Sequence, residues 1–391
     1  MNQITSAAPL AGCAAVFPVD EFRSRTAALQ SRLRDERAEA LLLTGPENIF
    51  WLSGRQTAGY FAFQALLVPA EGTPVLLVRQ LEETGARADA WFDDIRTWQD
   101  GQDPAAELAR MIKGQGISRL ALERSGWFVS PQMMAQLETA LDGIALLDGS
   151  GWVERLRMVK SPLELEAIRH AARYAQAGMA AALAACRAGV TENDIAAAMT
   201  HAAISAGSES MAMEPLISSG PRSGIPHATW RRRTLQAGDG VFLARAASHD
   251  RYHAAVMRAA WVGPPPEVAQ RMMDTSLRGL DAALAAMQPG RPCAAAHEAA
   301  QQVIDAAGFG AAFRKRAGYS MGAAFAPDWG EGAILSLFTG VMTPLEPGMV
   351  FHLPITLRDY GAFTVGVSET VIVTETGAEP LSTLPRQITL C

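Results

Sequence analysis

Apolar residues recur at helical spacing from Asp20 to Glu36, then merge into a continuous run, Ala40-Leu41-Leu42-Leu43, which ends in the turn-rich Gly45-Pro46-Glu47-Asn48. The first pattern predicts an amphipathic helix and the second a buried strand. Further strands are expected at Ile49 to Leu52, Phe61 to Val68, Pro74 to Val78 and Leu120 to Glu123, with helices at Ala105 to Lys113 and Pro131 to Leu141. Strands alternating with helices in this way predict an α/β N-terminal domain.

The pattern changes after Trp152. Lys160-Ser161-Pro162-Leu163-Glu164 supplies an N-cap serine, a proline at the first helical position and an early acidic residue, so a long helix is expected from there to about Ala188. Thr191-Glu192-Asn193-Asp194 caps a second helix ending near Ala206. Strand-like stretches follow at Glu214 to Ser218, Gly240 to Arg245 and Tyr252 to Val262, then helices at Pro266 to Met287 and Cys293 to Ala307. The last strands are expected at Met349 to Ile355 and Phe363 to Thr374. Helices over a mostly antiparallel sheet predict an α+β second domain. The expected domains are residues 1–155 and 156–391.

Composition removes several classes. With 49% hydrophobic and 19% charged residues in 391 positions, the chain is neither disordered nor a small disulfide-stapled scaffold. A net charge of −6 gives no drive toward polyanions, so no nucleic-acid partner is expected. The basic run Arg231-Arg232-Arg233, beside a Gly-Asp turn, reads as a solvated loop. Cys13, Cys186, Cys293 and Cys391 form no CxxC spacing, which fits a reducing compartment, and the cytoplasm is the expected location. Leu10-Ala11-Gly12-Cys13 looks like a lipoprotein processing box, but no basic residue precedes it and the apolar stretch is short. The most apolar long stretch, Ala171 to Val190, is broken by Arg173, Gln176 and Arg187, so no membrane association is expected.

Candidate chemistry concentrates in the second domain. His227 stands in Ser219-Gly220-Pro221-Arg222-Ser223-Gly224-Ile225-Pro226-His227, where a histidine in a glycine-rich loop can shuttle a proton near neutral pH. Its blander reading is a loop histidine bonded to backbone. His253 and Arg258 share one strand at odd separation, so alternation places them on opposite faces. Gly318-Tyr319-Ser320-Met321-Gly322 and Pro327-Asp328-Trp329-Gly330-Glu331 follow, then the closing hairpin with His352 and Glu369. Asp328 and Glu331 around an aromatic could orient a cationic or amide ligand, or form an acidic turn. Tyr60, Phe61 and Phe63 are the candidate aromatics of the first domain, where such rings also serve as core.

The order Lys160-Ser161-Pro162, Pro226-His227, Ala237-Gly238-Asp239, Arg258, Pro347-Gly348-Met349 and Val373 to Gly377 resembles the creatinase/aminopeptidase P family over nearly the whole chain. Gly318 to Gly322 followed by Pro327 to Glu331 resembles its ectoine hydrolase branch. The resemblance implies a creatinase-like N-terminal domain, a pita-bread C-terminal domain, and a homodimer in which one subunit's first domain covers the other's cavity.

The metallopeptidases of that family place two metals on two aspartates, a histidine and two glutamates. Those positions fall here on Ala244, Ala255, Tyr319, Leu353 and Ser368, with Glu369 and His352 as near misses. No metal and no cofactor are therefore expected. Creatinase-like hydrolysis uses a histidine, here His227, beside glutamates whose positions fall on Met257 and Leu353. The ectoine hydrolase branch has an acidic residue where this chain has Ala244.

The expected function is metal-independent hydrolysis of a C–N bond in a small non-peptide amide, amidine or guanidine compound. His227 is its general acid/base, accompanied by Glu331, Glu369 and Tyr319. Arg222, Tyr60, Phe61, His253, Arg258, Asp328, Trp329 and His352 are the candidate substrate-binding residues. The alternatives are a diverged lyase or natural-product enzyme, or a non-catalytic small-molecule binder, on the same fold.

Overall fold

The computed structural model describes residues 15–391. The Leu10 to Cys13 box lies outside them. The chain forms two compact units that divide between Arg157 and Met158, where the sequence pattern had placed the change at residue 155.

The first unit contains helix α1 (Val19–Asp35), strand β1 (Ala40–Leu43), α2 (Pro46–Ser53), β2 (Ala65–Pro69), β3 (Val75–Arg79), α3 (Glu83–Asp89), β4 (Ile95–Trp98), α4 (Pro104–Lys113), β5 (Arg119–Leu122), α5 (Pro131–Ala140), β6 (Ala145–Asp148) and α6 (Trp152–Arg157). The sheet order is β4-β3-β2-β1-β5-β6. Strand β2 runs antiparallel to both neighbours, and the other pairs are parallel. Alternation along β1 explains the layering: Leu41 and Leu43 pack with α1 and α2 residues, while Ala40 and Leu42 pack with α4, so this central strand is apolar on both faces.

One expected strand is a helix. Ile49-Phe50-Trp51-Leu52 lies inside α2, opened by Pro46 and closed by Gly54 at φ 84°. A short apolar run does not distinguish strand from helix, but a proline at the first turn and a left-handed glycine after the last do. Strands β4 and β6 go beyond the expected elements: Arg96 and Thr97 interrupt the apolar pattern of the first, and the second is a run of four residues that ends on Asp148.

The second unit begins with α7 (Pro162–Ala185) and α8 (Glu192–Ser205), each opened by a complete capping box, Ser161 with Glu164 and Thr191 with Asp194. It continues with β7 (Leu216–Ser219), β8 (Gly240–His249), β9 (Tyr252–Trp261), α9 (Glu267–Ala286), α10 (Ala294–Ala306), β10 (Gly318–Ser320), β11 (Ser336–Leu337), β12 (Val350–Asp359), β13 (Phe363–Thr374), β14 (Gly377–Pro380) and β15 (Ile388–Leu390). The main path of the sheet is β11-β10-β12-β13-β9-β8-β7, antiparallel throughout. Leu353, Ile355 and Leu357 of β12 and Val365, Val367, Val371 and Val373 of β13 join the core formed with α9 and α10. The intervening residues face the other way and carry the polar groups described next.

Candidate active site

Strand register assembles one polar row on the face turned from the helices. Tyr319 pairs with His352, His352 with Thr370, and Pro354 with Ser368. Ser368 in turn pairs with Met257, and Met257 with Ala244. Partners across a ladder project to the same side, so Tyr319, His352, Ser368, Thr370, Met257 and Ala244 share that face.

Within it a hydrogen-bonded chain runs from Trp329 to Ser368. The Trp329 indole N–H donates to the Tyr319 hydroxyl at 2.8 Å. That hydroxyl lies 2.8 Å from His352 Nδ1, and His352 Nε2 lies 2.6 Å from Ser368 Oγ. Burial drives the His352 pKa down to about 3, aided by the positive charge of Lys315, so the ring is neutral and has one N–H. Burial also pushes the Tyr319 phenol up, which keeps it a neutral donor. If the His352 proton is on Nδ1, the Tyr319 O–H is free to donate elsewhere; if it is on Nε2, the phenol proton is spent on the ring. The chain thus couples the direction of one hydroxyl to the tautomer of one imidazole.

The motif glycines permit this arrangement. A Cβ at Gly330 would sit 2.5 Å from the Tyr319 ring, and one at Gly322 would collide with the Glu331 carboxylate. Asp328 is exposed and accepts the Gly330 N–H, forming the turn that presents Trp329.

Several expected site residues sit elsewhere or are already engaged. Glu369 pairs with Leu353 and so points to the helix-facing side, away from Ser368. There its Oε1 accepts from Arg258 at 2.9 Å and from Arg386 at 3.1 Å. Arg258, also fully buried, spends its remaining donors on Met257, Ser368, Pro385 and Leu384 carbonyls and on Ser382. Neither can meet a substrate beside Tyr319. His253 is on the opposite face from Arg258, with Met257, but both of its nitrogens are occupied: Nδ1 at 2.7 Å from the Arg251 carbonyl, Nε2 accepting the Ala212 N–H. Burial lowers its pKa to about 4. It is a neutral structural histidine, not a substrate ligand. Glu331 is buried and ion-paired with Lys160 at 2.8 Å.

His227 occupies an exposed turn after the Gly220–Gly224 3-10 turn, at φ 54°. A non-glycine residue in the left-handed region carries backbone strain of the kind found at functional positions. Among the described residues, no hydrogen bond or ion pair holds its ring. The blander expectation, a ring bonded to backbone, is not met. Arg222 supports this loop: it donates to the buried Glu192 at 2.6 Å and to the Thr229 carbonyl. That anchoring replaces its expected substrate role. In the first unit, Tyr60 packs edge-on to Phe128 at 6.0 Å, whereas Phe61 is 83% exposed and so fills no core.

Sequence reasoning missed Ser368 as a hydrogen-bond partner, Lys160 as the counter-ion of Glu331, and the Arg314-Lys315-Arg316 run. The run was the visible signal, since three consecutive cations break an otherwise apolar stretch. Arg231 to Arg233, expected as a solvated loop, is partly structural, with Arg233 paired to Asp239 at 2.6 Å.

Residues 166–375 match the model of metallopeptidase family M24, and residues 25–159 match the creatinase/prolidase N-terminal domain. The chain belongs to metallopeptidase family M24. Its fold is the creatinase-type N-terminal domain followed by the pita-bread domain, and its relatives are hydrolases. It is 27% identical to an ectoine hydrolase of Halomonas elongata, with 95% of this chain and 98% of that one aligned. It is 29% identical to an uncharacterized hydrolase/peptidase of Sinorhizobium fredii over 95% and 97% of the two chains. Among solved structures, dipeptidase PepE from Mycobacterium ulcerans superposes with a TM-score of 0.83 at 25% identity, covering 96% of this chain and 99% of that one.

The family name implies a metal, and the residues present do not fit one. Ala244 and Ser368 share the polar face with Tyr319, and Ala255, two residues from Met257, joins them. The fifth expected position needs correction: Leu353 faces the helices, and the residue opposite Ser368 is Pro354. Methyl groups, a proline ring, a hydroxyl and a neutral phenol offer a hard cation no carboxylate or imidazole. Among the described residues, no group of three or more His, Cys, Asp or Glu could hold a metal ion.

Proposed function

We propose that this M24 member is a metal-independent hydrolase of a C–N bond in a small non-peptide amide, amidine or guanidine compound, with His227 as general acid/base. The observation that carries the reading is the replacement of the expected ligand positions on one sheet face by Ala244, Ala255, Tyr319, Pro354 and Ser368, with a neutral hydrogen-bonded chain among them. Without a metal to lower the pKa of water, a side chain must take the proton. His227, exposed and with both ring nitrogens uncommitted, can accept it from water and return it to the leaving nitrogen. The alignment with ectoine hydrolase over 95% of the chain supports a small non-peptide substrate.

A second reading has its own support. Glu331 and Glu369 are both committed to internal cations, so neither carboxylate is available to orient His227, and a small-molecule binder or a diverged lyase would not need one. Turnover separates the two: chelator-treated protein is expected to release amine or ammonia from a member of an amide, amidine and guanidine panel at the untreated rate. Activity appearing only with added zinc, manganese or iron would overturn the proposal.

We further propose that the chain acts in the cytoplasm as a homodimer, for which the exposed Phe61 is the most suitable covering ring. No described helix is long and apolar enough to cross a membrane. Light scattering is expected to give twice the 41.7 kDa of one chain.

A further inference from the structure

Resting on the hydrolase reading above, we propose that the Tyr319 hydroxyl donates to the carbonyl oxygen of the substrate and that Ser368 positions this donor through His352. The substrate class is then an amide, not an amidine or a guanidine.

Two proton arrangements fit the chain from Tyr319 to Ser368. In the first, the Ser368 hydroxyl donates to His352 Nε2, and Nδ1–H donates to the Tyr319 oxygen. In the second, the phenol donates to Nδ1 and Nε2–H donates to Ser368 Oγ, so the serine proton needs a further acceptor. Ser368 is fully buried, and among the described residues His352 Nε2 is the one hydrogen-bond partner of its Oγ. The second arrangement therefore strands a buried donor at the cost of its desolvation. The first leaves over only the Tyr319 proton, on a half-buried residue where solvent or a ligand can receive it, and so the first prevails. The Tyr319 oxygen then accepts twice, from Trp329 and from His352, and its own O–H has no internal acceptor among the described residues.

What that proton can meet defines the ligand. An amide oxygen offers two lone pairs, whereas an amidinium or guanidinium ion offers only N–H donors. The charges around Tyr319 agree. The Arg316 guanidinium stacks 4.8 Å from the Tyr319 ring centroid, which draws electron density from the phenol and repels a cationic ligand. Glu331 and Glu369 are paired with Lys160 and Arg258, and Asp328 is exposed and accepts the Gly330 N–H. When water adds to the carbonyl carbon, the π pair moves onto oxygen and the hydrogen bond from Tyr319 strengthens. When that pair returns, the C–N bond breaks, and the nitrogen leaves with the proton that His227 took from water.

The first test needs no turnover. The full chain is labelled with nitrogen-15 histidine and studied by NMR at neutral pH, the His352 signals being identified by their loss in His352→Gln. Nδ1 is expected to carry the proton and Nε2 to be the acceptor; a proton on Nε2 would overturn the assignment. The same sample is titrated with acetamide and with acetamidinium, which match in shape. Acetamide is expected to shift the His352 Nδ1 signal, and acetamidinium to leave it in place. No shift with acetamide, or an equal one with acetamidinium, refutes the amide donor. If these results hold and no amide is hydrolysed, only the hydrolase reading falls. With turnover, Tyr319→Phe is expected to lower kcat/KM for the amide about 10² to 10³-fold. Ser368→Ala is expected to lower it about tenfold and to give His352 a mixed-tautomer pattern. An unchanged tautomer in Ser368→Ala would remove the positioning role, and faster turnover of an amidine or guanidine than of the matched amide would remove the substrate class.

Discussion

Ser368 Oγ lies 2.6 Å from His352 Nε2 across the central hairpin of the pita-bread sheet. The other His352 nitrogen meets the Tyr319 hydroxyl, which also accepts from Trp329. All of this stands on the face where the metallopeptidases of the family are expected to hold metal. A chain of neutral partners is stable there only if each member is satisfied, because an unpaired polar atom in a dry interior costs its full desolvation. Ser368→Ala removes the partner of Nε2. The expected result is a loss of about 1–3 kcal/mol in denaturant unfolding, together with a change in the imidazole nitrogen shifts of His352. Unchanged shifts would mean that the contact does not set the tautomer.

His227 differs from these residues in having an exposed ring and, among the described residues, no partner for it. His227→Ala should therefore leave the melting temperature within about a degree or two, as surface changes do, while turnover falls roughly 10² to 10⁴-fold. A variant that retained turnover within a few-fold of the parent would remove the proton-shuttle role. The strained backbone adds a second arm: His227→Gly relaxes the left-handed φ and should lower turnover as much as alanine does, separating ring chemistry from loop shape.

Much of the fold was legible because local signals agree with tertiary need. Ser161, Pro162 and Glu164 mark the start of α7, and the structure builds the full capping box there. Where apolar pattern stood alone, as at Ile49 to Leu52, it misassigned the element. The site was legible by residue but not by face. Tyr319, Trp329 and His352 could be named from motifs, yet whether Glu369 or its neighbour Ser368 joined them depended on a one-residue register that sequence does not fix.

The revised place of Glu369 gives a sharp contrast with its expected catalytic role. Its carboxylate neutralises Arg258 inside the core, so Glu369→Gln should cost about 3–5 kcal/mol, the range for breaking a buried pair. Turnover per folded molecule should be unchanged. Urea unfolding combined with active-site titration measures both. A stable variant with abolished turnover would return Glu369 to the chemistry.

Two buried histidines should set the acid limit of stability. His253 and His352 have ordinary values of 6.5, lowered on folding to about 4 and about 3 respectively. Between those limits the unfolded chain binds protons that the folded chain refuses, so stability rises with pH through this window and is lost as pH falls from 6.5. Each group can contribute up to about 1.4 kcal/mol per pH unit where only the unfolded form is protonated. Glu123 and Glu369, raised by burial, act in the opposite sense above 4.5, so the wild-type slope alone is not diagnostic. The difference between wild type and His352→Gln, or between wild type and His253→Gln, cancels the carboxylates and isolates the ring. Unfolding free energies measured from pH 7 to 4 are expected to fall less steeply in each variant than in the parent. Parallel slopes would show that the imidazoles take up protons in the folded state and that the chain from Trp329 to Ser368 is open to water.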